Sequence, residues 1–460
     1  MPTGPVPTPH PDVSSPRPAD EPGRASDDLP RTLSLFDGAA LLVGSVIGSG
    51  IFVVPGLIAQ HVPEPGLALG IWIFSGLLVL CGALTLAELG AMLPHSGGLY
   101  VYMREAWGPF WAFLYGWTIM LVAIPASIAA LTSVFLLYLK LFVPLSLPAE
   151  KALGIVLLAG LAFVNVRGAK QGAGVQNTFA ILKVAGLVGL VVAALITGAG
   201  DVSNLGPVLP AEFSGSLLSA IGLAMISTLF AYDGWQFVSL LAGEIRDPGR
   251  NVPRSIIAGV LIVMALYAAA NLAYICVLGQ PRIASAERVA ADAMQAMIGP
   301  AGATLIAAVI LCSTFGAISA NVLAGPRVLF AMGRDGLLFP QLARKHPRHH
   351  TPSTAIWSLA LWAGLLTLTG GYEHLITLSG FANWIFFTMI VLAVIVLRRR
   401  HPEWPRPYRV VGYPVTVLVF VLISSAFVLN TLVEAPRSSL MGLGLLFVGV
   451  PFYLRSRRTS

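Results

Sequence analysis

Twelve apolar runs, each near the length of a bilayer-spanning helix, divide this chain of 460 residues. A span needs roughly 20 mostly apolar residues. Runs of that kind centre near residues 47, 78, 120, 158, 186, 229, 265, 312, 361, 386, 420 and 446. The third and eighth are long enough to bend. No soluble fold hides so much apolar surface. Hydrophobic residues make up 56% of the chain and charged residues 11%, with a mean hydropathy of +0.81. A soluble domain carries roughly 25% charged residues. The expected class is an all-α membrane protein with twelve transmembrane helices, joined by short loops into one domain over residues 33–455.

The ends read differently. Nine of the first 30 residues are Pro, with Ser, Asp and Arg between them. Such a composition cannot bury enough apolar surface to order itself, so residues 1–32 are expected to be a disordered cytoplasmic tail. No apolar run follows Met1, so no cleavable signal peptide is expected. Residues 456–460 read as a short C-terminal tail.

Orientation follows from Lys and Arg, which favour cytoplasmic loops. With the N-terminus inside, 22 of the 28 fall on the cytoplasmic side, five (Lys140, Lys151, Arg282, Arg288 and Arg437) on the other, and Lys183 in a span. The expectation is a multi-pass protein of the cell membrane with both termini cytoplasmic. The net charge of +7 then reflects the inner membrane face, and no basic, aromatic-rich patch argues for nucleic acid. Cys81, Cys276 and Cys312 lie in apolar runs, which fits packing rather than disulfides or metal binding. His349 and His350 stand in a basic loop without acidic or Cys partners, so neither a metal site nor a cofactor is expected.

Two spans carry breaks. The first, LFDGAALLVGSVIGSGIFVVPGLIAQ, places Gly48, Ser49 and Gly50 at its centre, and each Gly weakens helix by about 1 kcal/mol relative to Ala. The sixth, LLSAIGLAMISTLFAYDGWQFVSLLAGE, places Asp233 and Gly234 near mid-membrane. Irregular backbone at that depth is tolerated only inside protein or beside a water-filled cavity. Breaks at matching positions of two halves point to a transporter binding site. Their five-span offset makes the halves an inverted repeat, 5+5, with two further spans. A half-helix N-terminus offers free N–H groups to a carboxylate, and a facing C-terminus offers carbonyls to an ammonium. One zwitterionic amino acid satisfies both. The plainer alternative is that these glycines only let helices pack closely.

The stretch VQNTFAILKVAGLVGLVVAALITG is uncharged from Val175 to Gly198 except for Lys183. An ammonium inside an apolar span is costly and marks a substrate or ion pathway. A purely structural tether between spans is the competing reading.

The motifs VGSVIGSGIFVVP (43–55), LAELGAMLPHSGGLYVYMREAWG (86–108), FAYDGWQ (230–236), GEIRDPGRNVP (243–253) and GPRVLFAMGRDGLLFP (325–340) together resemble the amino acid–polyamine–organocation transporters, across roughly residues 33–455. The branch looks like the L-type group, which includes bacterial alanine–serine–cysteine and serine–threonine exchangers. The resemblance implies the 5+5 inverted-repeat fold of the bacterial leucine transporter. It implies a substrate carboxylate on the N–H groups of Ser49, Gly50 and Ile51. The amine then meets the carbonyls of Ile47, Phe230, Ala231 and Asp233, with Phe230 as an aromatic gate. Lys183 matches a lysine that stands in for a sodium ion and bridges span one to spans five and eight, which implies sodium-independent transport. Animal relatives pair with a single-span glycoprotein through an outer-loop cysteine. No cysteine here lies in an outer loop, so no covalently linked subunit is expected.

Asp233 departs from many L-type members, which carry a small residue there. Facing the pocket, it would bind a polar or cationic side chain; facing away, it would cap the half-helix. Ser313, Thr314 and Ser319 either reach Lys183 or bond back within their own helix. Glu88 and Glu105, near His95 and Arg104, read as solvated or inter-loop charges. Glu244, Arg246, Asp247 and Arg250, and separately Arg327, Arg334 and Asp335, read as inner-gate ion pairs or as ordinary basic loops. The functional expectation is sodium-independent transport of small neutral L-amino acids by alternating access, through exchange or facilitated diffusion. Proton-coupled symport is the alternative. A non-transporting sensor lacks a signalling domain, and an enzyme lacks a nucleophile motif or a phosphate loop.

Overall fold

The structure, a computed structural model, describes residues 29–210, 215–286, 288–369, 372–434 and 436–459. The expected N-terminal tail lies outside these residues up to position 28. Apart from one isolated parallel bridge between Leu33 and Ile245, the described fold is built from helices and turns.

In chain order the helices are α1 (Leu35–Val46), α2 (Gly50–His61), α3 (Pro65–Met92), α4 (Leu99–Trp107), α5 (Pro109–Thr118), α6 (Ile124–Leu139), α7 (Leu147–Val166), α8 (Ala169–Ile196), α9 (Gly215–Ala231) and α10 (Phe237–Leu240). There follow α11 (Pro248–Leu278), α12 (Gln280–Ser285), α13 (Val289–Ile298), α14 (Pro300–Ala324), α15 (Pro326–Arg334), α16 (Ser353–Thr369), α17 (Tyr372–Arg400), α18 (Val415–Glu434) and α19 (Pro436–Thr459). A π-helical turn, Ile119–Ala123, joins α5 to α6, and Gly325 joins α14 to α15, so the two long spans are interrupted along their length.

Among the described residues, eight helical stretches are long and apolar enough to cross a membrane. The other four of the twelve expected spans fall on α9, α16, α17 and α19. Their described residues are shorter or less apolar by that measure.

Burial sorts the spans. In the stretch Leu35–His61, 89% of the most apolar window is inside the protein, against 22% for α7, α8 and α18. A helix that is apolar all round belongs in a core, and α1 packs on α8, α11 and α14 while α2 packs on α9 and α12. The broken first span is thus the axis of the bundle, and α7, α8 and α18 form its lipid-facing rim.

The start of α1 is fixed by a capping box. The Asp37 N–H donates to Ser34 Oγ, and the Ser34 N–H donates to Asp37 Oδ2 at 2.8 Å, which satisfies two orphan donors reciprocally. Just before it, Leu33 exchanges backbone bonds with Glu244 and Arg246, each 2.9 Å. The first and sixth spans are therefore stapled together at the end of the bundle where arginines collect.

Candidate substrate site

Helix α1 ends where glycines flank Ser49. The chain leaves helical geometry at Ile47 (φ −73°, ψ 86°) and resumes it at Ser49 (φ −83°, ψ −18°). Ser49 is the N-cap of α2, yet its side chain makes no capping bond. The N–H groups of Ser49, Gly50 and Ile51 have no acceptor inside the helix, and the helix dipole adds positive potential there.

The second break runs from Tyr232 to Gln236, between α9 and α10. Gly234 turns it with φ +111°, a conformation that side chains disfavour. Its carbonyl accepts the Ser45 hydroxyl at 3.0 Å. The two breaks touch at Gly50. A Cβ there would stand 2.8 Å from Ala231 Cβ and 2.9 Å from its Cα, so only a hydrogen fits.

A cavity of about 50 Å³ opens between the breaks, with room for a few waters. Ser49, Gly50, Phe230, Ala231 and Asp233 line it. Ile47 and Ile51 are fully buried and stand outside its walls. Ser127 and Leu131 of α6 and Asn321 of α14 complete it. These three escape the sequence reading because helix facing is set by neighbours, and the π-helical turn before α6 rotates that helix off a regular period.

The carbonyls of the breaks are held from behind. Lys183, wholly buried, donates to the carbonyls of Gly44 at 2.7 Å, Ile47 at 2.6 Å and Ser313 at 2.9 Å. An ammonium has three donors, and all three are used. The Ser313 hydroxyl lies 3.0 Å from the Ile47 carbonyl and 2.9 Å from that of Gly48. Ser313 has one hydroxyl hydrogen, which the Ile47 and Gly48 carbonyls share, while Lys183 donates to Ile47 from the other side. The Tyr267 hydroxyl reaches the carbonyls of Val46 at 2.9 Å and Ala231 at 3.0 Å, so one buried phenol links both breaks. Thr314 bonds back within its helix, to the Ile310 carbonyl at 2.9 Å. Ser319 is buried and makes no bond to Lys183 among the described residues.

Asp233 both lines the cavity and is tied to its own turn. Its Oδ1 accepts from Gln236 Nε2 at 3.1 Å, and Gln236 Oε1 accepts the Gly234 N–H at 3.1 Å. Asp233 is thus a residue of the cavity wall whose carboxylate pairs with a polar neighbour in its own turn.

The arginine-rich end carries ion pairs, one fully buried and one partly exposed. Arg327 and Glu244 form a bidentate pair at 2.7 and 3.0 Å, with side chains 0% and 2% exposed. Asp335 receives Arg104 and, at 2.9 Å, the Tyr100 hydroxyl. Glu88 is buried rather than solvated. It accepts from Arg398 at 2.8 and 2.5 Å and from the Val410 N–H at 2.7 Å, tying α3 to α17 and to the loop after it.

Comparison with known proteins agrees with this architecture. The family model described as amino acid permease matches residues 33–448. The chain is 33% identical to the serine/threonine exchanger SteT of Bacillus subtilis (strain 168), over 94% of this chain and 98% of that protein. It is 32% identical to the human b(0,+)-type amino acid transporter 1, over 89% and 84% of the two chains. It is 31% identical to the mouse large neutral amino acids transporter small subunit 2, over 92% and 81%. With two broken helices meeting at a central cavity and a match running nearly end to end, the chain belongs to the amino acid permease family of the amino acid–polyamine–organocation superfamily, a multi-pass membrane transporter of amino acids and not an enzyme.

Proposed function

We propose that the protein exchanges small neutral L-amino acids across the cell membrane, without sodium and by alternating access. One observation carries this reading: the N-terminus of α2, without a side-chain cap, faces the same small cavity as Phe230 and Ala231 at the end of α9 and Asp233 in the break after it. The substrate carboxylate takes the N–H groups of Ser49, Gly50 and Ile51. The amine takes the carbonyls of Phe230, Ala231 and Asp233. The Ile47 carbonyl, which Lys183 holds from behind, meets the amine beside them. Lys183 serves where relatives place a sodium ion. Phe230 gates the cavity on one side, and the Arg327–Glu244 and Arg104–Asp335 pairs close the other, which is cytoplasmic together with both termini. The framework for this cycle is twelve spans, 5+5 inverted and two more.

The name of the Bacillus subtilis relative, a serine/threonine exchanger, supports small neutral substrates and exchange for that protein, and the mouse relative's name supports neutral substrates for its own. The small cavity supports a small side chain. Uptake of labelled L-serine into proteoliposomes tests the mode. Exchange requires internal amino acid and is indifferent to sodium. Uptake that needs no internal substrate and collapses with the proton gradient sinks the exchanger reading in favour of symport. Asp233 on the cavity wall favours a second reading, a polar or cationic substrate. Competition of serine uptake by L-arginine separates the two.

A further inference from the structure

A second cavity, of about 290 Å³, lies at the arginine-rich end, where α7 gives way to α8. Arg167, Lys170, Arg348, His349 and His350 line it. The lining carboxylate, Glu244, has both oxygens committed to Arg327. Lys170 is paired with Asp37. Arg167 and Arg348 meet no carboxylate among the described residues. A cavity with this much unneutralised positive charge calls for an anion.

Arg167 and Arg348 are solvent-exposed, and local contacts hold the segments that carry them. The Arg167 guanidinium lies over the Phe163 ring at 4.3 Å, a contact that leaves its planar N–H fork for other acceptors. The loop carrying Arg348 is pinned. Thr351 Oγ1 donates to the Val166 carbonyl at 2.7 Å, and the His350 N–H donates to the His346 carbonyl at 2.9 Å. His346 Nδ1 accepts the N–H groups of Arg348 and His349, both at 3.2 Å. Partial burial and the neighbouring His346, Arg348, Arg167 and His350 push the His349 imidazole below its ordinary range, a sign of the positive field. Helix α8, 28 residues long, begins here at Ala169 with no side-chain cap on its N-terminus, and Ala169, Lys170 and Gln171 line the cavity. Its first N–H groups and its dipole add to the same field.

We propose that this cavity binds a phosphate-bearing anion through Arg167, Arg348 and the amide end of α8. The site is separate from the substrate cavity and does not depend on what the protein transports. Its depth fits a lipid headgroup. The apolar run of α7 stops at Val166, and Phe163, one turn earlier, is 49% exposed, so Arg167 stands where a bilayer's phosphate plane begins. A soluble phosphate offers the same chemistry.

Thermal unfolding of the purified full chain in detergent distinguishes the sources. Added phosphatidylglycerol is expected to raise the Tm, while phosphatidylcholine is not. An equal rise with inorganic phosphate alone would assign the site to a free anion. Arg167→Gln/Arg348→Gln is expected to weaken the phosphatidylglycerol response by about 25-fold in half-maximal concentration. Arg344→Gln, a charge removed from the same loop outside the cavity, should leave it unchanged. Arg348→Gln alone, on an exposed loop residue, should weaken it about fivefold and keeps the test open if the double variant fails to fold. No preference of the native chain for phosphatidylglycerol over phosphatidylcholine, with no response to phosphate, overturns the proposal. So does a full response in a folded double variant.

Discussion

Lys183 Nζ stands 2.6 Å from the carbonyl oxygen of Ile47, so a charge on α8 holds the first residue of the break in the first span. The same ammonium reaches α14 through Ser313. One cationic node therefore joins α1, α8 and α14.

Replacing Lys183 by Ala removes all three bonds and leaves buried carbonyls short of a donor. A hydrogen bond to a charged group contributes about 1.5–3 kcal/mol, so even one lost from the rate-limiting state slows turnover about tenfold or more. The expected result is serine uptake reduced by at least that factor, with expression and ligand-induced stabilisation retained. Unaltered uptake kinetics would reduce Lys183 to a structural tether.

Tyr267→Phe tests the link between the two breaks. Its hydroxyl serves the Val46 and Ala231 carbonyls from a fully buried position. The ring stays packed on Trp72, at 5.3 Å between centroids, so the substitution removes only polar contact. A buried acceptor left unsatisfied costs about 1–3 kcal/mol. A lowered Tm and a slower maximal uptake rate are expected.

Both breaks were legible because Gly48, Gly50 and Gly234 are glycines at membrane depth, and Lys183 because it is alone in its span. What each carbonyl of the first break does was not legible. That the Ser313 hydroxyl stands between the Ile47 and Gly48 carbonyls depends on where α14 brings it, 266 and 265 positions along the chain from them. For Glu88 the choice between a solvated and an inter-loop charge stayed open for a related reason. Its partners Arg398 and Arg406 lie more than 300 positions away, and no local pattern separates a clamped carboxylate from a solvated one. Ser127 and Asn321 were missed because hydropathy is nearly uniform around apolar helices, so no moment marks the face that meets a cavity.

The Arg327–Glu244 pair predicts strong non-additivity. Glu244→Gln leaves a buried guanidinium without its counter-charge, a loss of about 3–5 kcal/mol for a pair of this kind. Arg327→Gln orphans the carboxylate at similar cost. The double variant removes both charges and is expected to recover a good part of the Tm, since two uncharged amides avoid the desolvation penalty. A double-mutant cycle on unfolding checks this. Simple addition of the two losses would mean that the groups do not act as a pair.

Gly50→Ala probes the contact on which the substrate site rests. The new methyl would meet Ala231 at 2.8 and 2.9 Å, including its backbone Cα, which cannot swing aside as a long side chain would. Overpacking of this kind costs about 1–3 kcal/mol, and relief requires the two breaks to separate. Separation moves the N–H groups of α2 away from the carbonyls of the facing break, so the zwitterion proposed above would no longer span both. Loss of uptake together with loss of ligand-induced stabilisation is expected, at an expression level close to native. Gly160→Ala supplies the comparison. Its added methyl meets nothing within 4 Å on α7, so uptake should be unchanged. Equal loss in both variants would mean that glycine content, and not the approach of Gly50 to Ala231, is what transport requires.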